Sequence, residues 1–122
     1  MKTYSFEKLE VWQRTRQLIK MIYYDTTGFP KEELFGLVSQ LRRAAISISS
    51  NIAEGSGSIT NKEQANFYKI AYSSMLEVLS QLIVSADLGY LKADKVNLEY
   101  RPLIDKISYQ LNALRKATMS KV

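Results

Sequence analysis

Two carboxylates, Glu54 and Glu77, and the hydroxyls of Ser47, Ser49, Ser50, Ser73 and Ser74 are the groups whose types and helical spacing come nearest to reaction chemistry in this chain. A pair of glutamates on facing helices can bind a metal, but di-iron bundles combine such carboxylates with Glu-x-x-His motifs, and the sequence contains no histidine. A serine nucleophile needs an adjacent base, and the helical pattern brings neither histidine nor lysine to that face. Cysteine is absent as well, which removes disulfides and thiolate zinc sites. Gly55-Ser56-Gly57-Ser58 superficially suggests a phosphate cradle, yet it follows a helix and lacks the Gly-Lys-Ser/Thr ending. It reads as an interhelical hinge. No catalytic, cofactor or metal site is expected, and Glu54 and Glu77 are read as acceptors for Arg43, Asn51, Gln40 or backbone groups.

Those polar residues belong to an unusual helix. From Leu34 onward, Leu34, Leu41 and Ile48 share one heptad position and Val38, Ala45 and Ile52 another, which makes an apolar seam. Gln40, Ser47 and Glu54 lie directly beside that seam, with Arg43, Ser50 and Asn51 on adjoining rows. Small Ala44, Ala45, Ser47 and Ser50 permit close approach of a second helix. Leaving any of the polar groups buried and unpaired would cost about 1–3 kcal/mol, so a structural row or interface made of Gln40, Arg43, Ser47, Asn51, Glu54 and Glu77 is expected to hydrogen-bond across the gap.

Four helical stretches carry these residues, predicted over about 6–25, 31–54, 61–88 and 94–117. Ser5 is suited to cap the first, whose apolar side is assigned to Leu9, Trp12, Ile19, Ile22 and Tyr23, and Thr27-Gly28 ends it. Pro30 opens the second, with Glu32 and Glu33 at its positive end. Thr60 with Glu63 forms a capping-box pattern for the third, and Gly89 ends it. The apolar surface of helix 3 is wide: Met75, Leu79, Leu82 and Ala86 form one seam, Tyr72, Leu76 and Ile83 a second row, and Phe67, Ile70, Ala71, Ser74 and Val78 broaden it further, which fits either an oligomer interface or a central place in the bundle. Helix 4 buries Tyr100, Leu103, Ile104, Ile107, Leu111 and Leu114, and Pro102 should bend it near Leu98. Residues 118–122 are expected to fray. Short connections between helices of this length imply an all-α, antiparallel, up-down-up-down four-helix bundle, a single domain over residues 1–122.

Phe29-Pro30-Lys31, Glu33-Leu34, Gly36-Leu37, Gln40, Arg43-Ala44-Ala45, Ser47 and Asn51-Ile52-Ala53-Glu54-Gly55 together resemble the family of four-helix bundles named after proteins encoded in intervening sequences of bacterial 23S rRNA genes. Phe6-Glu7-Lys8-Leu9-Glu10-Val11-Trp12 and Phe67, Ala71, Ser74 and Glu77 extend the likeness over about residues 5–91. The resemblance implies a left-handed antiparallel bundle, a homopentameric ring as in some members, and nucleic-acid binding as in a related branch that serves diversity-generating retroelements. Tyr72-Ser73-Ser74 departs from the glycine-serine pair more usual there. Amphipathic aromatics at Trp12, Tyr23, Tyr24, Tyr68 and Tyr72 suit an interface.

Seventeen Lys and Arg against twelve Asp and Glu give a net charge of +5, a field that attracts polyanions. Arg14, Arg16, Lys20, Arg42, Lys106, Arg115 and Lys116 are the candidate phosphate contacts, with Lys121 beyond them and no acid after Asp105. No base-reading motif accompanies them. Two functions stay open: a non-enzymatic homo-oligomeric scaffold that binds RNA or DNA without sequence readout, or an assembly module for a protein partner that the sequence does not identify. No signal-peptide core and no run of about 18 apolar residues is present, so a cytoplasmic location away from the membrane is expected, and the resemblance implies a bacterial one.

Overall fold

The computed structural model describes residues 1–122. Four long helices are present and no strand: α1 (Glu10–Thr26), α2 (Ser39–Ser56), α3 (Asn61–Asp87) and α4 (Arg101–Met119). Each packs on its sequence neighbour, and α4 closes the circle on α1. Hydrogen bonds fix the directions. Arg42 at the start of α2 reaches Tyr23 and Thr26 at the end of α1, while Ser5 meets Ser56 at the opposite end. Ser47 meets Ser74 and Gln40 meets Gln81; Gln64 meets Thr118; Glu10 meets Gln110. Neighbouring helices therefore run in opposite senses around one core.

The core of α1 is turned from the expected side. Val11, Thr15, Leu18, Ile22 and Thr26 are buried, whereas Trp12 and Ile19 are half-buried and Tyr23 is exposed. Two threonines occupy core positions because each hydroxyl is satisfied within its own helix: Thr15 donates to Val11 O at 2.8 Å and Thr26 to Ile22 O at 2.7 Å. Ser85 and Thr118 do the same toward Gln81 O and Leu114 O. Thr118 is 5% exposed and α4 continues to Met119, which corrects the expected fraying from residue 118.

The helix starts also differ in detail. Ser5 does not cap α1. A 3-10 turn, Ser5–Lys8, precedes it, Leu9 is extended, and Glu7 accepts the Tyr4 amide at 2.7 Å. In place of one helix from residue 31, a 3-10 turn (Lys31–Glu33) and a π turn (Leu34–Val38) lead into α2, with Gly36 outside helical angles. This phase change swings Leu34 out of the predicted seam to 48% exposure, while Val38, Leu41, Ala45, Ile48 and Ile52 stay buried. A second π turn, Val96–Tyr100, follows the short helical turn Ala93–Lys95 and leads into α4. Pro102 has no amide to give the Leu98 carbonyl and its ring crowds that oxygen, so the chain widens where the bend was expected.

Thr60 Oγ1 accepts the Glu63 amide at 3.1 Å at the start of α3. At its end Gly89 adopts φ +82°, with Tyr90 N donating to Ser85 O and Gly89 N to Ala86 O. This is the Schellman pattern. Gly89→Ala is expected to cost about 1–2 kcal/mol through left-handed strain, read as a drop of about 4–8 °C in Tm; an unchanged melt would show that the turn relaxes freely.

Candidate assembly and nucleic-acid interfaces

The polar row divides between two environments. Ser47 and Ser74 hydroxyls are 2.8 Å apart in the α2–α3 groove, and Asn51 Nδ2 donates to Ser47 O at 2.8 Å and to Ser47 Oγ at 3.1 Å. Gln81 Nε2 donates to Glu77 Oε1 at 3.1 Å and Gln40 Oε1 at 3.3 Å. Arg43 and Glu54 do not close the row. Both side chains are exposed, and neither forms an ion pair or a side-chain hydrogen bond within the chain.

The same pairings set the register of α2 against α3. Opposite residues have numbers that sum to about 121, since Ser47 faces Ser74 and Gln40 faces Gln81. Glu77 is then level with Ala44, ten residues from Glu54 along α2, or about 15 Å. The two carboxylates cannot share a proton or a metal ion. Their exposure and separation leave them as surface acceptors.

The structure leaves several apolar side chains of α2 and α3 outside the core. Leu34, Phe35 and Ile46, before and within α2, lie at the levels of Leu76, Ile83, Val84 and Leu88 around α3, and all seven are exposed; Phe35 reaches 92%. The wide apolar coverage of α3 signalled its share of these residues, but Leu34 and Phe35 were concealed by the π turn. The aromatic interface candidates separate: Tyr24 is exposed, Tyr23 is 40% exposed, Trp12 and Tyr72 are half-buried, and Tyr68 at 2% belongs to the core. Tyr68 packs on Gly55, which is buried near the end of α2 and is not a hinge.

The basic residues are also sorted by the fold. Arg14 lies 3.8 Å from Glu10, Arg16 stacks 5.0 Å from the Trp12 ring, and Arg42 lies 4.6 Å from the Tyr23 ring while its Nε donates to Thr26. Lys20 and Lys106 are exposed, each beside an acid in its groove, Asp25 and Asp105 respectively. Arg115 and Lys116 have no intramolecular partner and lie at the far end of α4. Lys62 and Lys69 of α3, which the sequence did not single out, lie across a groove from Arg115. The seven basic candidates are thus spread over several faces: Lys20 and Lys106 lie in separate grooves, and Arg115 and Lys116 share one end of the α3–α4 seam with Lys62 and Lys69.

Near the opposite end, Lys95 donates to Glu99 at 3.0 Å and stands 3.8 Å from Asp25. The Glu99 hydrogen bond leads the effects that hold its ammonium above the ordinary lysine value. Tyr90 donates to Glu33 at 3.0 Å, and that bond first and burial second raise its hydroxyl. These contacts tie the loops at this end together, with Phe29 against the Tyr90 ring.

Four long helices around one core, with apolar side chains and cations left on the surface, define an all-α bundle. The sequence model of the family described as 23S rRNA-intervening sequence protein matches residues 7–113, and the chain belongs to that family. No curated protein matches it. No helix is long and apolar enough to cross a membrane.

Proposed function

We propose that the protein is a non-enzymatic homo-oligomeric scaffold, pentameric by its resemblance to ring-forming members of the family, whose basic surface binds RNA or DNA without reading sequence. The observation that carries the reading is the exposure of seven large apolar side chains, Leu34, Phe35, Ile46, Leu76, Ile83, Val84 and Leu88, on α3, on α2 and in the turn before it. Large exposed apolar surfaces mark interaction sites, and Arg43, Glu54 and Glu77, exposed on the same two helices, offer charges that a neighbouring copy can pair. A ring needs a heterologous contact, in which these side chains meet a different face of the next chain. The bacterial cytoplasm, expected from sequence, is the setting in which such a scaffold would meet nucleic acid.

Light scattering coupled to size exclusion tests assembly. The wild type is expected near five times the 14.0 kDa chain mass, and Leu76→Glu with Val84→Glu is expected to run as a helical monomer, because both positions are exposed in the single chain. A monomeric wild type at micromolar concentration would overturn the assembly reading. The alternative, a module for a different protein partner, is favoured by the same exposed apolar side chains, and it predicts a monomer whose variants at these positions lose that partner.

A further inference from the structure

We propose that the groove between the start of α3 and the end of α4 is a binding site for the phosphate backbone of duplex nucleic acid. This rests on the nucleic-acid half of the function proposed above and gives it a location. Lys62, Asn66 and Lys69 line one side of a groove of about 420 Å³, with Arg115 opposite. Arg115 also lines an adjoining groove of about 490 Å³ with Asn112 and Lys116. Two helices far apart in sequence thus bring four cations and two amides into one continuous surface around Arg115.

Three features favour a polyanion there. None of the four cations takes part in an ion pair within the chain, whereas Arg14, Arg16 and Arg42 are engaged by Glu10, Trp12 and Tyr23. Glu63, the one acid in the first three turns of α3, lines neither groove, and no acid follows Asp105 in the sequence. Lys62 and Lys69 are separated by seven residues of helix, about 10 Å, which spans about three phosphate steps of one strand at 3.4 Å each along a duplex axis.

The lining selects among polyanions. Cations and amides are the groups that contact phosphate and sugar oxygens without reading sequence. Single strands are held by aromatic stacking platforms, and no aromatic residue lines either groove. An acidic protein partner would be anchored by a buried aromatic or aliphatic pocket, and the apolar lining consists only of Ala65, Met119 and Val122.

Fluorescence anisotropy with the full chain tests the site, using a labelled 20-base-pair duplex as DNA and as RNA, a matched single strand, and polyglutamate as competitor. Neutralising four phosphates gives a log-log salt slope of about −3.6, or an affinity loss of about 150-fold between about 50 and 200 mM salt. Lys69→Ala with Arg115→Ala should weaken duplex binding at least tenfold and flatten the slope by about 2, with Tm and oligomer size unchanged. Arg14→Ala with Arg16→Ala should change binding less than twofold. Preference for either duplex over the single strand supports the assignment. Full binding by the groove variant, with loss in the Arg14/Arg16 variant, would overturn the location and leave nucleic-acid binding standing. Equal competition by polyglutamate, or single strands bound as tightly as duplexes, would overturn the duplex assignment. No duplex binding by the wild type at 50 mM salt would overturn both, and none of these outcomes depends on whether the protein assembles.

Discussion

Gly55→Val is expected to destabilise the fold by about 3 kcal/mol, the upper end of the usual overpacking range, and to lower Tm by about 12 °C. Gly55 is buried in the last turn of α2, against Phe67 and Tyr68 of α3. A Cβ there would stand 2.8 Å from Tyr68 Cε1 and 3.1 Å from both Tyr68 Cδ1 and Phe67 Cβ. The ring cannot simply swing aside, because Tyr68 is 2% exposed. Relief would require α2 and α3 to separate, and their groove holds the Ser47–Ser74 bond and the buried Ala44 and Ala45. Gly57 supplies the control. Its added Cβ would meet only Ala53 O and Glu54 O at 3.8 and 3.9 Å, so Gly57→Ala should melt within about 2 °C of the wild type, in line with an unstrained surface change. Shortening the ring in a Gly55→Val/Tyr68→Leu double variant should recover part of the loss, since residues in contact couple. Equal melts for the two glycine variants would show that close approach at Gly55 does not hold the helices in place.

How far the fold could be read in the sequence depended on whether a residue's role was local. Thr60, Gly89 and Pro102 act through their own backbone neighbours, and the capped start of α3, its left-handed end and the widened turn before α4 all fall where those residues pointed. The rotation of α1 was hidden because threonine counts as polar in a hydrophobic pattern, yet Thr15 and Thr26 bury their methyl groups while their hydroxyls bond their own helix. Gly55 was misread for a related reason: a glycine in a Gly-Ser run signals a loop, and only the position of Tyr68 across the groove reveals a contact. The candidate surfaces followed the same rule. Arg42 is as basic as Arg115 in the sequence, but one packs on Tyr23 and the other faces Lys62 and Lys69 from a helix more than forty residues away. Charge is a property of a residue; a site is a property of the helices that bring residues together.

Stability should fall steeply above pH 10, and Tyr100 should account for a full proton of that fall. Its side chain, at the end of the second π turn, is fully buried, and its hydroxyl donates to Asp25 Oδ2 at 2.5 Å. Burial first, and the Asp25 hydrogen bond second, hold the hydroxyl far above the ordinary tyrosine value. In the unfolded chain the same group ionises near pH 10. The folded state then keeps a proton that the unfolded state releases, so this stabilisation is complete below about pH 10 and declines as pH rises further, by about 1.4 kcal/mol per pH unit. Tyr68, raised by its own burial, acts in the same direction. Tyr100→Phe separates the contributions. At pH 7 it should cost about 1–3 kcal/mol, because Asp25, with only 10% of its side chain exposed, loses a donor and keeps only Lys95 at 3.8 Å. Above pH 10 the variant should lose stability less steeply than the wild type by about 1.4 kcal/mol per unit, so that denaturation midpoints far apart at pH 7 converge toward pH 11. Parallel pH profiles for the two proteins would mean that Tyr100 ionises in the folded state as readily as in the unfolded one, and that the Tyr100–Asp25 contact does not hold the start of α4 against the end of α1.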